Sequence, residues 1–202
     1  MEQKVFERKV ELLEAALNEF TLKSYEEASL NTIIKNAGIS KGTYYYHFAD
    51  KQALYLYLLK TASRLKWEFI TNNAEKLDSF ASEQFFEQIK IQAQLGAAFA
   101  KKFPKYDKLG RMLIKERGSN IYKTALEILG GEDDSVLAAM IDRAIANGEF
   151  KSGYSKEFLL KTITYLLNGF NDVFMISEDT SLEEVLSDLE LYIEFMRHGI
   201  ER

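Results

Sequence analysis

The 202-residue chain has no cysteine, which removes disulfide frameworks, thiolate metal sites and thiol nucleophiles together. It has two histidines, His47 and His198, too few for a histidine-rich metal site, so neither a metal nor a cofactor is expected. One proline, Pro104, and eleven glycines leave long stretches in which helices can run, whereas an all-β chain needs a turn about every 8–12 residues. Long apolar runs are missing too. The longest, 91–100 and 162–171, reach about half of the ~20 residues a membrane span requires. The N-terminal MEQKVFERKVELLEAALNEF carries charge throughout and lacks the apolar core of a signal peptide. A cytoplasmic protein without a membrane partner is expected. What is present is an ordinary globular composition, 47% hydrophobic and 28% charged, in a chain long enough for a sizeable core.

Basic charge is also scarce. The net charge of −5 speaks against a nucleic-acid partner when taken over the whole chain, so the footprint has to be sought locally. Residues 1–28 carry four basic side chains against seven acidic ones, net −3; residues 29–51 carry Lys35, Lys41 and Lys51 against Asp50, net +2. The candidate footprint lies in the second stretch.

Apolar residues recur at helical spacing almost everywhere. Phe6, Val10, Leu13, Leu17 and Phe20 step by four and three and predict one buried face of a first helix. Ser29 is placed to cap a short second helix carrying Leu30, Ile33, Ile34 and Ala37, which ends at Gly38, a residue able to take the left-handed closing conformation. Ser40 caps a third helix to His47, with Tyr44 and Phe48 turned inward, and Asp50 caps a fourth running to about residue 73. Further helices are expected near 82–102, 105–116, 119–129, 133–148, 155–177 and 181–199, the last opened by a Ser181–Glu184 capping box. The fold class is all-α: an N-terminal three-helix helix-turn-helix domain, 1–50, and a larger helical domain, 51–202.

The inward turn of Tyr44 leaves Lys41, Gly42, Thr43, Tyr45, Tyr46 and His47 facing outward, with Lys51 close behind. Cations, hydroxyls and helix starts all suit phosphate oxygens, and a two-turn helix behind a glycine turn suits the major groove. Gly42 lets that helix approach closely. A plain three-helix bundle with incidental surface tyrosines is the alternative. A Ser40, His47 and Asp50 triad lacks an oxyanion site and a pocket, which leaves a helical enzyme as the weakest reading.

The stretch LLEAALNEFTLKSYEEASLNTIIKNAGISKGTYYYHFADKQALY, residues 12–55, closely resembles the N-terminal domain of the TetR family of bacterial transcriptional regulators. The rest resembles that family in architecture, down to an IDRAIANGEF helix end and two long final helices. The resemblance implies that Ser40, Lys41, Gly42 and Thr43 line the groove-facing start of the recognition helix. It implies that Tyr45, Tyr46 and His47 reach phosphates and sugars, that Lys51 clamps a phosphate, and that Ser29, Asn31 and Thr32 touch backbone. One departure is that no arginine lies between Lys9 and Arg64, so a bidentate arginine contact to guanine is not available there and Lys41 is the base-reading candidate.

The last two helices are apolar on two sides, which predicts burial on two sides. By resemblance they pair with their copies in a homodimer, with Leu159, Ile163, Leu166, Leu189, Leu191, Ile193 and Phe195 as interface candidates. Intradomain packing of both sides is the alternative. The resemblance also implies an effector cavity. Its candidate walls are Trp67, Ile70, Phe99, Phe103, Met112, Tyr122, Tyr165 and Phe170, with Asn168, Asn171 or Asp172 as polar anchors, a lining for a small lipophilic or aromatic molecule. The expected function is a repressor that leaves a palindromic double-stranded DNA operator when such an effector shifts the fourth helix. A DNA-binding protein of the same fold without a small effector, architectural or regulated by a protein, remains open.

Overall fold

The computed structural model describes residues 2–73, 84–129, 134–174 and 180–200, and within them the chain forms ten helices. These are α1 (Glu2–Leu22), α2 (Leu30–Asn36), α3 (Lys41–His47), α4 (Lys51–Thr71), α5 (Phe85–Lys102), α6 (Pro104–Lys115), α7 (Asn120–Leu129), α8 (Asp134–Ala146), α9 (Lys156–Val173) and α10 (Leu182–Ile200). The start signals work as the local chemistry demands. Ser29 Oγ accepts from Thr32 N–H, Ser40 Oγ from Thr43 N–H at 3.0 Å, and Asp50 Oδ1 from Ala53 N–H at 2.7 Å. Ser181 and Glu184 exchange the two bonds of a capping box. Gly38 closes α2 at φ +63°, where a Cβ would be strained.

The chain divides into two compact units, Met1–Phe69 with Lys102–Gly131, and Ile70–Lys101 with Glu132–Arg202. The first 50 residues therefore do not close a core of their own. Leu12, Ala16 and Phe20 of α1, Ile33 of α2, Tyr44 of α3 and Leu54 and Leu58 of α4 are buried together with Leu109 of α6 and Ile121 and Ala125 of α7. Each large apolar side chain removed from water this way contributes roughly 1.5–3 kcal/mol. In the second unit Phe85, Phe86 and Ile89 of α5 pack with Met140 and Ile141 of α8, Leu159 and Ile163 of α9 and Leu189 and Ile193 of α10.

One expected face is misplaced. Val10 is 61% exposed, because the buried arc of α1 centres on Ala16, with Leu12, Ala15, Leu17, Glu19 and Phe20 around it. The side chain of Phe6 lies outside the described residues.

Candidate nucleic-acid interface

The geometry of the helix-turn-helix is set by one side chain pointing the other way. Tyr44 is completely buried in the first core, and its hydroxyl donates to the Asp50 carbonyl at 2.6 Å, which ties α3 to the start of α4. Burial first, then the charge of Asp50, raise its phenol pKa, so it stays a neutral donor. With Tyr44 inward, its neighbours on α3 must face out. Lys41 and Gly42 are exposed, Tyr45 is largely so, and Tyr46 is 78% exposed with its ring edge-on to His47. Thr43 is half-buried and its hydroxyl is 2.9 Å from Ser40 Oγ, so the start of α3, which also carries the exposed Lys41, holds two paired hydroxyls. A Cβ at Gly42 would meet only Ser40 Oγ, at 3.7 Å, an ordinary contact. The chain's own packing therefore does not require glycine there, and the small residue leaves the helix backbone open to a close partner. On α2, Asn31 is exposed, Thr32 half-buried, and Ser29 is occupied as the cap.

Two of the predicted contacts turn inward. Lys51 Nζ donates to the carbonyls of Tyr25 at 2.7 Å and Ala28 at 3.0 Å, with Glu26 O at 3.3 Å, and lies 4.4 Å from the Tyr25 ring centroid. An ammonium has three donors, and these acceptors account for them, so the fold uses Lys51 to hold the α1–α2 turn. His47 is half-buried with its Nε2 shielded and unpaired; burial and then the charge of Lys9 lower its pKa, which keeps the imidazole neutral at pH 7. In the other direction, the arginine missing from the 9–64 interval is supplied from outside it: Arg8 of α1 donates to Gly38 O at 3.3 Å and so stands at the helix-turn-helix turn. Sequence spacing alone could not bring Arg8 to a turn thirty residues away.

The other predicted residues separate by unit. Leu159, Ile163, Leu189 and Ile193 are buried in the second core and Leu166 packs against it, whereas Leu191 and Phe195 are 66% and 74% exposed. Phe158, Tyr165 and Val173 are exposed as well. A groove of about 450 Å³ runs along α9 and α10, lined by Phe158, Thr162, Leu166, Phe195, His198 and Gly199 among others. Of the cavity candidates, Met112 is half-buried, Tyr122 belongs to the first core and Phe170 to the second, and Phe99 is buried. Trp67, Tyr165 and Asn168 are exposed, Ile70 and Phe103 are half-buried, and the side chains of Asn171 and Asp172 lie outside the described residues.

Residues 12–58 match the family of bacterial regulatory proteins of the tetR type. The HTH-type transcriptional activator FasR of Mycolicibacterium smegmatis is 34% identical over 95 residues, 44% of this chain and 43% of that protein. The HTH-type regulator YdgC of Bacillus subtilis is 34% identical over 59 residues, 29% of this chain and 30% of its own; both alignments thus span less than half of those relatives. YvdT of the same bacterium is 23% identical over 181 residues, 85% of this chain and 86% of its own. Among solved structures, a TetR family regulator from Chloroflexus aurantiacus superposes with a TM-score of 0.76 at 18% identity, covering 99% of this chain and 98% of that one. The N-terminal segment, residues 12–58, is thus similar in sequence to the tetR family of bacterial regulatory proteins, and the chain shares the all-α fold of a solved TetR family regulator.

Proposed function

We propose that the protein is a homodimeric DNA-binding repressor that leaves a palindromic operator when a small lipophilic or aromatic effector binds, with residues 1–50 contacting DNA and 51–202 serving dimerisation and effector binding. The observation that carries the DNA reading is the outward face of α3, where Lys41, Gly42, Tyr45 and Tyr46 face solvent and Thr43 is half-buried around a fully buried Tyr44. Asn31 and Thr32 on α2, with Arg8 at the turn, extend it as backbone contacts. The homodimer is supported by the exposed apolar side chains of Phe158, Tyr165, Leu191 and Phe195 on helices whose opposite sides are already buried.

The test is selection of bound duplexes from a randomised pool by the full-length chain, followed by a reporter fused to the selected sequence. An inverted repeat and lowered reporter output support the reading; failure to enrich any sequence sinks it. A regulator without a small effector is favoured by the core positions of Phe99, Tyr122 and Phe170, which are packing residues. A thermal-shift panel of lipophilic amines, acids and aromatics separates the two, since a ligand at 100 times its Kd stabilises by about 2.7 kcal/mol. An activator is the second reading, favoured by the similarity to the transcriptional activator FasR, and raised reporter output would select it.

A further inference from the structure

The turn between α1 and α2 is gripped by three charged side chains that come from three different places in the chain. From α1, Glu19 Oε1 accepts from Ser29 N–H at 3.0 Å while also pairing with Lys23 at 2.7 Å. From α4, Lys51 holds the Tyr25 and Ala28 carbonyls. The third comes from 91 residues away: Glu116 Oε1, at the C-terminal cap of α6, accepts from Tyr25 N–H at 2.7 Å in a partly buried setting.

Glu116 is itself held in a tight corner. Its N–H donates to Leu113 O at 3.0 Å and its carbonyl accepts from Ser119 N–H at 2.9 Å, while Gly118 makes the turn at φ +94°, a conformation glycine tolerates best. At the other end the ring of Tyr25 lies against Tyr55, 5.1 Å between centroids, and under the Lys51 ammonium. A partly buried backbone donor with a carboxylate acceptor is a strong, directional bond. It connects the α6–α7 corner to the segment that leads directly into the Ser29 cap of α2.

We propose that Glu116 is a positioning residue for operator recognition: by holding Tyr25 N–H it fixes the α1–α2 turn, and through it the start of α2 that carries Asn31 and Thr32. The inference rests on the DNA-binding reading above. It also makes a prediction opposite in sign to simple electrostatics. Glu116 is an anion in a unit that binds a polyanion, so on charge alone its removal favours DNA. If it positions the turn, its removal weakens binding to the operator and spares binding that needs no register.

The experiment uses the full-length chain, a duplex that the wild type has selected from a randomised pool, and a scrambled duplex of the same length. Glu116→Ala should bind the selected duplex about tenfold more weakly and the scrambled duplex at least as well as the wild type. Glu116→Gln should stay near the wild type on both, because its amide oxygen still accepts from Tyr25 N–H. Glu116→Asp keeps the charge but draws the oxygen back by one methylene, and it should weaken the selected duplex as the alanine variant does. It also serves where the alanine variant fails to fold. Unchanged affinity in the alanine or aspartate variant overturns the inference, as does an equal loss on both duplexes or in the glutamine variant. A wild type that selects no duplex overturns the DNA-binding reading itself, a result distinct from a binding wild type with insensitive variants.

Discussion

The Lys51 ammonium is surrounded by carbonyl oxygens of the α1–α2 turn, so its removal acts first on stability. Lys51→Ala should cost roughly 1–3 kcal/mol, the range for leaving buried polar partners unsatisfied, and should leave the salt dependence of DNA binding unchanged. Lys41, exposed on the first turn of α3, should behave in the opposite way: Lys41→Ala keeps the melting temperature and makes the slope of log K against log salt shallower by about 1, because one fewer phosphate is neutralised. Thermal denaturation and a salt series on the two variants check both; a shallower slope in Lys51→Ala would return that residue to the phosphate-binding set. His47 carries a pH prediction. Burial and then Lys9 hold its folded pKa below the ordinary 6.5, so in the window between the two values the unfolded chain binds the extra proton. Stability is therefore full above pH 6.5 and falls as the pH drops through that window. The unfolding free energy should fall more between pH 7.5 and 5.5 in the wild type than in His47→Gln, and identical pH profiles would refute it.

At the scale of elements, α10 offers the cleanest contrast, since Leu189 is 6% exposed and Leu191, two residues on, is 66% exposed. Leu189→Glu places a charge in the second core and should cost at least the roughly 2–5 kcal/mol of a large-to-small core truncation. Leu191→Glu should leave the melting transition of the subunit intact and yield a monomer by sedimentation. The same pair shows what is legible in the sequence. That α9 and α10 are apolar on two sides follows from their periodicity, but period alone does not say which stripe faces the subunit's own core, and the seven interface candidates mix both. Helix starts are legible because caps are made within three residues: Ser29, Ser40, Asp50 and Ser181 each cap where expected. The face of α1 is misread when large side chains are weighted over Ala15 and Ala16, and because Glu19 is buried by partners at Lys23 and Ser29. The inward use of Lys51, the arrival of Arg8 at Gly38 and the Glu116 bond to Tyr25 all join residues 23 or more apart, and no local pattern encodes such pairs.

For the whole molecule, the modest cationic footprint bears on the proposed homodimer. A single unit offers Arg8, Lys35 and Lys41 around one short helix in a chain of net charge −5, too few phosphate contacts for tight binding at physiological salt. In the proposed homodimer, two copies on half-sites about one helical turn apart, roughly 34–36 Å, would turn the second binding step into an intramolecular event. The gain from such linkage is about 10²–10⁴ in affinity without any new type of interaction. Leu191→Glu, if it yields a folded monomer, should therefore lose affinity for the full inverted repeat by a factor in that range while binding an isolated half-site as the wild type does. Titration of both duplexes against both proteins at one salt concentration makes the comparison. A monomeric variant that holds the full repeat as tightly as the wild type would show that dimerisation through α9 and α10 contributes nothing to operator affinity, and any effector that acts on the operator complex would then have to change the DNA-contacting unit directly. If dimerisation does contribute, a tenfold release of operator requires only about 1.4 kcal/mol of coupling between ligand and DNA, small against the linkage it has to weaken.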